Sequence, residues 1–447
     1  MSDVDQSGEY VSSASKQESA PLSTKGRRVW VGTLPRTALA VLMTAVSAVT
    51  FVATPHALMV QAAITAPVAA GPAIGVTHTQ YSADVNYPGT PSAEQVLRTI
   101  STVQNQHIMG FGATNPNPAP GVYDWRTLDA RMTLISRTGG APVITLCCSP
   151  DWMKGGSPGR TDWSKLARAP LERHFDDFAA LSAAVARRYP QVTYFQVWNE
   201  LKGFYDVRRN RWNIEAYTRL YNKVYLALKA VNPRIRVGGP YVVMDSFSSA
   251  RAAGRNSELT GRWGVVDQRA LDAVRYWLRH KVGADFITVD ARSGTRDRGL
   301  ITNDIEATGK FTAVTDWLRR QTALPIWWSE IYPEVNDANA ASNSPHRAAV
   351  AFYALIKVLN SGAKMALLWQ PQQDVYLKSV ALWTDVKVGG GGQALPLVNG
   401  LAWLRSALAS GRLVTVKWNG FAAVASDGRT TLILDGKTGR SATYPHK

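Results

Sequence analysis

The sequence predicts an α/β protein whose strands close into one (β/α)8 barrel of the TIM type. From about Ala73 onwards, short β-branched apolar runs alternate with stretches in which apolar residues recur at helical spacing. Eight strand candidates, spread over residues 73–410, match the length and order of a closed barrel. A doubly wound open sheet would also alternate, but its glycine-rich phosphate turn is missing from the first connection, "GVTHTQYSAD".

The predicted strands are short apolar runs bounded by turn-forming or polar residues. In chain order they are "AIGVTHT", "HIMGFGA", "APVITLCC", "VTYFQVWN", "IRVGGP", "ADFITVD", "LPIWWSE" and "AKMALLWQ". Amphipathic stretches between them predict the helices, and residues 181–188 are typical. Arg187 and Arg188 fall near the end of that helix, where cations interact well with the helix dipole.

The tail of the chain, residues 411–447, changes character and predicts a small β-strand appendage. Its three strand candidates are "RLVTVKW", "GFAAVAS" and "TTLILDG". Asn419-Gly420 and Asp427-Gly428 separate them, and both pairs are typical of tight hairpin turns.

The N-terminus predicts export or membrane anchoring. Residues 1–36 are polar and basic and predict a disordered region. Residues 37–54 form an uncharged apolar stretch directly after Arg36, which is the pattern of a signal peptide or a signal-anchor segment. The long polar leader favours an uncleaved anchor, although "APVAAGPA" within the following linker, residues 55–72, offers a cleavage site. We therefore expect the barrel to be extracellular, or membrane-anchored and facing outside the cytoplasm.

Composition narrows the choice of partners and cofactors. The net charge of +17 suits an anionic environment, but the basic residues are scattered and no nucleic-acid-binding motif is present. The histidines lack metal-ligand spacing, so no metal and no other cofactor is predicted. The two cysteines, Cys147 and Cys148, are adjacent in an apolar strand and are predicted to be free, buried side chains rather than a disulfide.

Two acidic residues end predicted barrel strands. Glu200 closes the fourth strand in "YFQVWNE", and Glu330 closes the seventh in "LPIWWSE". Because the carboxyl ends of barrel strands meet at one face, the two carboxylates should oppose each other over the central pocket. Such a pair is what glycosidic bond cleavage requires, whereas a structural ion-pair network is the competing explanation.

Several motifs resemble glycoside hydrolase family 39 and its relatives, which include β-xylosidases, α-L-iduronidases and exopolysaccharide hydrolases. They are "VWNE" on the fourth strand, "WWSE" on the seventh, "GVYDWRTLDARM" after the second and "VITLCCSPDWM" at the third. The resemblance covers roughly residues 74–370 and the β appendage. It implies that Glu200 is the general acid/base, that Glu330 is the nucleophile, and that Asn199 binds the sugar 2-hydroxyl.

The resemblance also implies substrate contacts for His78 at the first strand and Trp152 after the third, and an aromatic platform at Trp369 on the eighth. Buried core aromatics are the competing explanation for the tryptophans. The sequence departs from the family at the sixth strand, where Asp290 occupies a position at which relatives often have His or Tyr. Asp290 and Tyr332 are expected to support the site from behind the catalytic pair.

Basic loops follow the fourth and sixth strands. Their arginines either grip an acidic glycan or pair within the loops with Asp206 and Asp297, and the sequence leaves both options open. The arginines are Arg208, Arg209, Arg211, Arg292, Arg296 and Arg298.

The resulting prediction is a retaining glycosidase that acts on an extracellular or cell-envelope polysaccharide or oligosaccharide, which could be acidic. A transglycosylase would use the same residues with an alcohol as acceptor. A non-catalytic barrel that binds glycans at the cell surface is the rival from another class. The sugar, the linkage and the oligomeric state stay open.

Overall fold

The computed structural model of the chain describes residues 71–80, 82–100, 103–336, 344–369, 371–373 and 380–446. Eight parallel strands close into a barrel, in which each strand pairs with the next along the chain and the last pairs with the first. The strands are β1 (Ala73–Thr77), β2 (Val103–His107), β3 (Ala141–Leu146), β4 (Tyr194–Val197), β5 (Arg236–Val243), β6 (Phe286–Arg292), β7 (Ile326–Tyr332) and β8 (Met365–Trp369). The predicted (β/α)8 barrel is therefore confirmed.

A main helix follows each barrel strand and covers the outside of the barrel. The helices are α1 (Thr90–Ile100), α2 (Arg126–Arg137), α3 (Phe175–Arg188), α4 (Ile214–Val231), α5 (Gln268–His280), α6 (Asp304–Gln321), α7 (Pro345–Asn360) and α8 (Leu397–Ala409). Polar side chains cap the N-termini of several helices. Each of three of them accepts a hydrogen bond from a backbone N–H of the first helical turn, and these are Asn213, Asp267 and Asn303. Helix α4 begins and ends at the predicted residues.

The C-terminal appendage is a four-stranded antiparallel sheet, one strand more than predicted. Its strands are β9 (Thr415–Trp418), β10 (Ala422–Ser426), β11 (Thr430–Asp435) and β12 (Ser441–Pro445). The sequence "SATYP" of β12 is short, mostly exposed and without an apolar alternation, so it carries no strand pattern of its own. Trp403 of α8 donates its indole N–H to Thr430 at 2.9 Å and so ties the sheet to the helical layer.

The N-terminal predictions fall on residues that the structure does not describe. These are the basic region, the apolar stretch at residues 37–54 and nearly all of the linker. Within the described ranges, no helix has both the length and the apolar character needed to span a bilayer.

The lower end of the barrel is filled by apolar side chains. Phe286 of β6 stacks on Trp327 of β7 with ring centroids 4.0 Å apart, and Tyr194 of β4 packs against both rings. Val103, Val143 and Met365 complete this layer. The barrel is therefore closed below, and its open end lies at the carboxyl ends of the strands.

Above this apolar layer, hydrogen-bonded polar side chains cross the barrel. Asn105 of β2 donates to Thr77 of β1 at 3.1 Å and accepts from Thr145 of β3 at 2.8 Å. Gln196 of β4 donates to Thr145 at 3.2 Å and accepts from Ser329 of β7. The members satisfy one another inside the barrel, which makes burial of these polar groups tolerable.

This polar layer explains an error in the predicted second strand. The prediction placed the strand at "HIMGFGA", whereas β2 is "VQNQH" and ends at His107, where the predicted strand begins. All five residues of β2 are buried although three of them are amides. An apolar-pattern search misses such a strand, because partners from other parts of the chain compensate for the polarity of Gln104 and Asn105.

The prediction for the cysteines was half right. Cys147 and Cys148 are both fully buried, as expected of core residues. They are nevertheless bonded to each other as a disulfide, which contradicts the prediction of free thiols. The peptide bond between them is cis.

Candidate active site

Glu200 is held by a strained turn beyond the end of β4. Trp198, Glu200 and Leu201 have φ angles of 70°, 51° and 51°, a region that non-glycine residues seldom occupy. Such residues cost about 1–3 kcal/mol each and persist only where their surroundings hold them. Trp198 is buried and donates its indole N–H to the carbonyl of Lys202 at 2.8 Å, which closes the turn. The turn places the half-buried Glu200 at the mouth of the barrel.

Glu330 lies within β7 and owes its direction to a β-bulge. Regular alternation along the strand would turn Ser329 and Glu330 to opposite faces. The register between β7 and β8 slips between Trp328 and Ile331, so the extra residue lets both side chains face the interior. Ser329 then donates to Gln196 in the polar layer, while Glu330 lies above it. Glu330 is buried, with 2% of its surface exposed.

A second irregularity brings Tyr241 to Glu330. The pairing of β5 with β6 skips Tyr241, since Thr288 pairs with Pro240 and Val289 pairs with Val242. Tyr241 has a φ of 53° and is fully buried. Its hydroxyl donates to Oε1 of Glu330 at 2.8 Å.

Tyr332 donates its hydroxyl to the other oxygen, Oε2, of Glu330. Both carboxylate oxygens of Glu330 are therefore held by tyrosine hydroxyls, Tyr241 on one side and Tyr332 on the other. The expectation that Tyr332 supports the site agrees with this contact.

The structure brings Glu200 and Glu330 together, and it adds Asp290 from β6. One carboxylate oxygen of each of these three residues lies within 4.8 Å of the others. Asp290 is almost fully buried, and its Oδ1 accepts no hydrogen bond from the described residues. It shares the inward face of β6 with Phe286 and Thr288, as strand alternation requires. Asp290 is therefore a third member of the acidic cluster rather than a group behind it.

Burial and charge set the protonation of this cluster. Burial raises the pKa of Glu330, and the charge of Lys202 and the hydroxyls of Tyr332 and Tyr241 oppose the increase. The pKa of Asp290 is raised well above its ordinary value, first by burial and then by the negative charge of Glu330. Asp290 thus takes up a proton more readily than an exposed aspartate, and the negative charge of the cluster is reduced.

Lys202 supplies the positive charge of the site. Its ammonium group pairs with Oε2 of Glu200 and lies 5.9 Å from the ring centre of Phe111. Burial lowers the pKa of Lys202, and the charges of Glu330 and Asp290 oppose that change. Three carboxyl groups in one place also attract divalent cations. The single ammonium group lies among them and offsets part of their negative charge.

Two of the predicted substrate-binding residues border this cluster. Asn199 is buried next to His107, and its amide opposes the effect of burial on the pKa of that histidine. Trp369 at the end of β8 is half-buried, and its ring centre lies 5.7 Å from that of Tyr332. Asn199 directly precedes Glu200, and Trp369 packs near Tyr332, which donates to Glu330. The substrate contacts of both residues stay predictions.

His78 and Trp152 lie in packed surroundings instead. His78 is fully buried, and its ring nitrogens contact Gln104 and Ser82, each at 2.9 Å. Trp152 is 9% exposed and donates its indole N–H to the carbonyl of Asn117 at 3.0 Å. The polar atoms of both residues are engaged within the protein, and their substrate contacts stay predictions.

Three residues of the site escaped the sequence analysis. His107 ends β2, and burial, together with the charge of Lys202, lowers its pKa to about 3, so its imidazole is neutral at ordinary pH. Its place in the site could have been predicted only if β2 had been located correctly. Tyr241 follows "GGP", a combination that indicates an interrupted strand but not a catalytic role. Lys202 has no sequence signal beyond its closeness to Glu200.

The arginines after β4 and β6 mostly pair with nearby acids. Arg209 lies 3.7 Å from Asp206, as the loop-pairing alternative predicted. Asp297, however, accepts hydrogen bonds from the backbone and hydroxyl of Ser248, so its predicted arginine pairing is wrong. Other arginine–carboxylate pairs are Arg211–Glu215, Arg292–Glu334 and Arg296–Asp245. These contacts favour a structural role over glycan binding.

A closed parallel barrel with opposed carboxylates at its open end defines the class of barrel glycosidases. The sequence model of glycosyl hydrolases family 39 matches residues 112–371, which is more than half of the chain. The chain therefore belongs to glycoside hydrolase family 39. Comparison with curated protein sequences gives no match.

Solved structures share the fold. A monomeric beta-xylosidase from Caulobacter crescentus CB15 is 18% identical and superposes with a TM-score of 0.52, covering 82% of this chain and 74% of its own. A GH39 enzyme from Xanthomonas axonopodis pv. citri is also 18% identical, with a TM-score of 0.53 and coverages of 82% and 72%. At this level of identity the likeness concerns the fold alone.

Proposed function

We propose that the chain is a retaining O-glycosidase that cleaves an extracellular or cell-envelope polysaccharide by double displacement. The observation that carries the proposal is the closeness of Glu200 and Glu330, whose nearest oxygens lie within 4.8 Å. Retaining enzymes hold their carboxyl groups roughly 5–5.5 Å apart, whereas inverting enzymes leave roughly 6.5–9.5 Å for a water molecule. The short separation supports direct attack on the sugar by one carboxylate.

In this mechanism Glu330 is the nucleophile. Its carboxylate oxygen bonds to the anomeric carbon as the glycosidic C–O bond breaks, and Glu200 gives its proton to the departing oxygen. Glu330 is then a neutral ester and Glu200 a carboxylate. In the second step Glu200 accepts a proton from water, the water oxygen bonds to the anomeric carbon, and the bond to Glu330 breaks.

The buried environment of Glu330 supports this assignment of roles. Hydrogen bonds from Tyr241 and Tyr332 orient both of its oxygens and favour its charged form, which the attack requires. Glu200 is more exposed and lies on a loop at the mouth, where a leaving group and then water can reach it. Residues 1–72 support action outside the cytoplasm, because a basic flank precedes their apolar stretch.

The test is hydrolysis of a panel of aryl β-glycosides and polysaccharides, beginning with β-xylosides because a beta-xylosidase shares the fold. Glu330→Ala should abolish turnover, and Glu200→Ala should lower it by about 10²–10⁴-fold. Added azide should partly restore Glu200→Ala on an activated aryl glycoside, since azide needs no general base. Glu172→Ala, which removes an exposed glutamate paired with Arg219, is the matched control and should keep wild-type activity.

Product stereochemistry and covalent labelling complete the test. Proton NMR should show that the first-formed product keeps the anomeric configuration of the substrate. An activated 2-deoxy-2-fluoro glycoside should label Glu330, which peptide mass spectrometry would detect. Inverted product, or labelling of another carboxylate, would overturn the proposal. Binding of glycans without cleavage of any substrate would favour the non-catalytic barrel instead.

A further inference from the structure

We propose that Lys202 is the shared counter-ion of Glu200 and Glu330, a positioning residue whose ammonium group pairs with whichever of the two carries the negative charge. The inference rests on the proposed double displacement. In that reaction one negative charge moves from Glu330 to Glu200 in the first step and returns in the second. A cation held next to the two carboxyl groups can stabilise the charge on either of them without exchanging protons or forming bonds.

Lys202 contacts one of the two catalytic carboxyl groups and acts on the other through space. Its ammonium group pairs directly with Oε2 of Glu200. The nearest oxygens of Glu200 and Glu330 are within 4.8 Å of each other, so a group bound to the first is close to the second. The charge of Lys202 is also the largest influence that opposes the effect of burial on Glu330. The pairing with Glu200 corresponds to the state in which Glu200 is ionised.

The backbone holds Lys202 in this place. The N–H of Lys202 donates to the carbonyl of Asn199 at 3.0 Å, and its own carbonyl accepts the indole N–H of Trp198 at 2.8 Å. Gly203 follows with a φ of 76°, and a Cβ there would lie 2.2 Å from the backbone nitrogen of Ala169. The same rigid turn therefore carries the acid/base and its counter-ion, two residues apart.

Charges and dipoles around the ammonium group come from several elements. The groups that face it are Glu200 on its own turn, Glu330 of β7, Asp290 of β6, His107 of β2 and the ring of Phe111. His107 is neutral at ordinary pH, and burial favours the protonated form of Asp290. With one proton on Glu200 in the resting enzyme, a single negative charge stays on Glu330 opposite the single positive charge of Lys202.

The consequence is a pH profile that depends on Lys202. An opposite charge within about 4–6 Å lowers a carboxyl pKa by about 1–3 units. Lys202→Met removes the charge but keeps an unbranched side chain of similar length. Both limbs of the bell-shaped dependence of kcat/KM on pH should then move upwards by about 1–3 pH units. Lys202→Arg keeps the charge and should leave both limbs near their wild-type positions.

The experiment measures kcat and KM between pH 3 and 10 for the wild type, Lys202→Met, Lys202→Arg and Lys165→Met on an activated aryl β-glycoside. Lys165 pairs with Asp162 on the surface at 2.7 Å and serves as the matched lysine control, expected to behave as wild type. Thermal unfolding identifies any variant that fails to fold. At a pH on the acidic limb of the wild-type profile, Lys202→Met should lower kcat/KM by about 10- to 1,000-fold, the effect of 1–3 pKa units.

Unshifted limbs in a folded Lys202→Met variant would overturn the inference, as would an effect on KM alone, which would make Lys202 a substrate-binding group. Failure of the proposed function is recognised separately, because wild-type enzyme would then show neither hydrolysis nor labelling of Glu330 by the fluoro-sugar. If the wild type is active and labelled on Glu330, but Lys202→Met has the same pH profile, only the role of Lys202 is refuted.

Discussion

Replacing Tyr241 by phenylalanine removes one hydroxyl group and leaves the rest of a fully buried side chain in place. That hydroxyl donates a hydrogen bond of 2.8 Å to Oε1 of Glu330. The variant tests whether this hydrogen bond, which the bulge in β5 makes possible, controls the reactivity of Glu330. Tyr332 still donates to the other oxygen, so Glu330 should keep its position while losing half of its hydrogen bonding.

The magnitude follows from the charge of the acceptor. A hydrogen bond to a charged group contributes about 1.5–3 kcal/mol. The bond stabilises the Glu330 carboxylate more than the glycosyl ester, because the ester oxygen carries less charge. Its loss therefore destabilises the leaving group of the second step, by an amount that corresponds to about 10- to 150-fold in rate. The same loss raises the pKa of Glu330, so the acidic limb of the pH profile should move upwards.

The assay is pre-steady-state release of an aryl leaving group, combined with intact-protein mass spectrometry. For Tyr241→Phe we expect a burst followed by slow turnover, and accumulation of the glycosyl-enzyme. Tyr217→Phe is the matched control, because that buried hydroxyl donates to the carbonyl of Val197 at 2.9 Å and touches no carboxylate. The control should lose stability without a burst and without a shift of the acidic limb.

An unchanged acidic limb in Tyr241→Phe, with kcat within about twofold of wild type, would refute the reasoning, since the hydrogen bond would then contribute equally to both states of Glu330. A change in KM alone would also contradict it.

Two further predictions concern Asp290 in the acidic cluster and Gly203 in the turn after β4. Burial raises the pKa of Asp290, so the folded state holds this proton at a pH where the unfolded chain has released it. The free energy of unfolding of the wild type therefore falls as pH rises above the ordinary carboxyl range. In chemical denaturation, Asp290→Asn should be more stable than the wild type at pH 7 by at least about 1 kcal/mol, and this difference should vanish near pH 3. A wild type as stable as the variant at pH 7 would contradict this. Gly203→Ala places a Cβ 2.2 Å from the Ala169 nitrogen, and it should lower the free energy of unfolding by about 1–3 kcal/mol and remove most of the activity. Gly254→Ala is the control, because Gly254 has a similar φ of 72° and no atom within 4 Å of the place that a Cβ would take, and it should keep its activity. Equal losses in the two variants would show that crowding at Gly203 is unimportant.

Local sequence patterns predicted most of the barrel, because the periodicity of a helix or a strand depends on residues that are near in sequence. Helix α4 and the strands after it follow apolar periodicity, and their bounds agree with the structure to within a few residues. Strand β2 is the exception. Asn105 at its centre is buried with partners from β1 and β3, and no local pattern records those partners.

Glu200 and Glu330 could be selected from the sequence because each stands out against an apolar run, and the barrel topology then brings the runs to one face. Lys202 and Tyr241 could not be selected. Lys202 resembles any loop lysine until the strained turn directs it at Glu200. Tyr241 resembles a core aromatic until the slip in register between β5 and β6 turns its hydroxyl towards Glu330.

The sequence by itself therefore determined the barrel, the C-terminal β appendage and the identity of the two opposed carboxylates, because strand and helix periods and strand-end positions are local properties. The tertiary structure decided which groups surround those carboxylates and how they are charged. The bulge that turns Glu330 inward, the arrival of Asp290 beside it and the pairing of Lys202 with Glu200 all depend on register and distance between separate strands. Burial and Coulomb interactions act through space, so the protonation of the site follows from the folded arrangement alone.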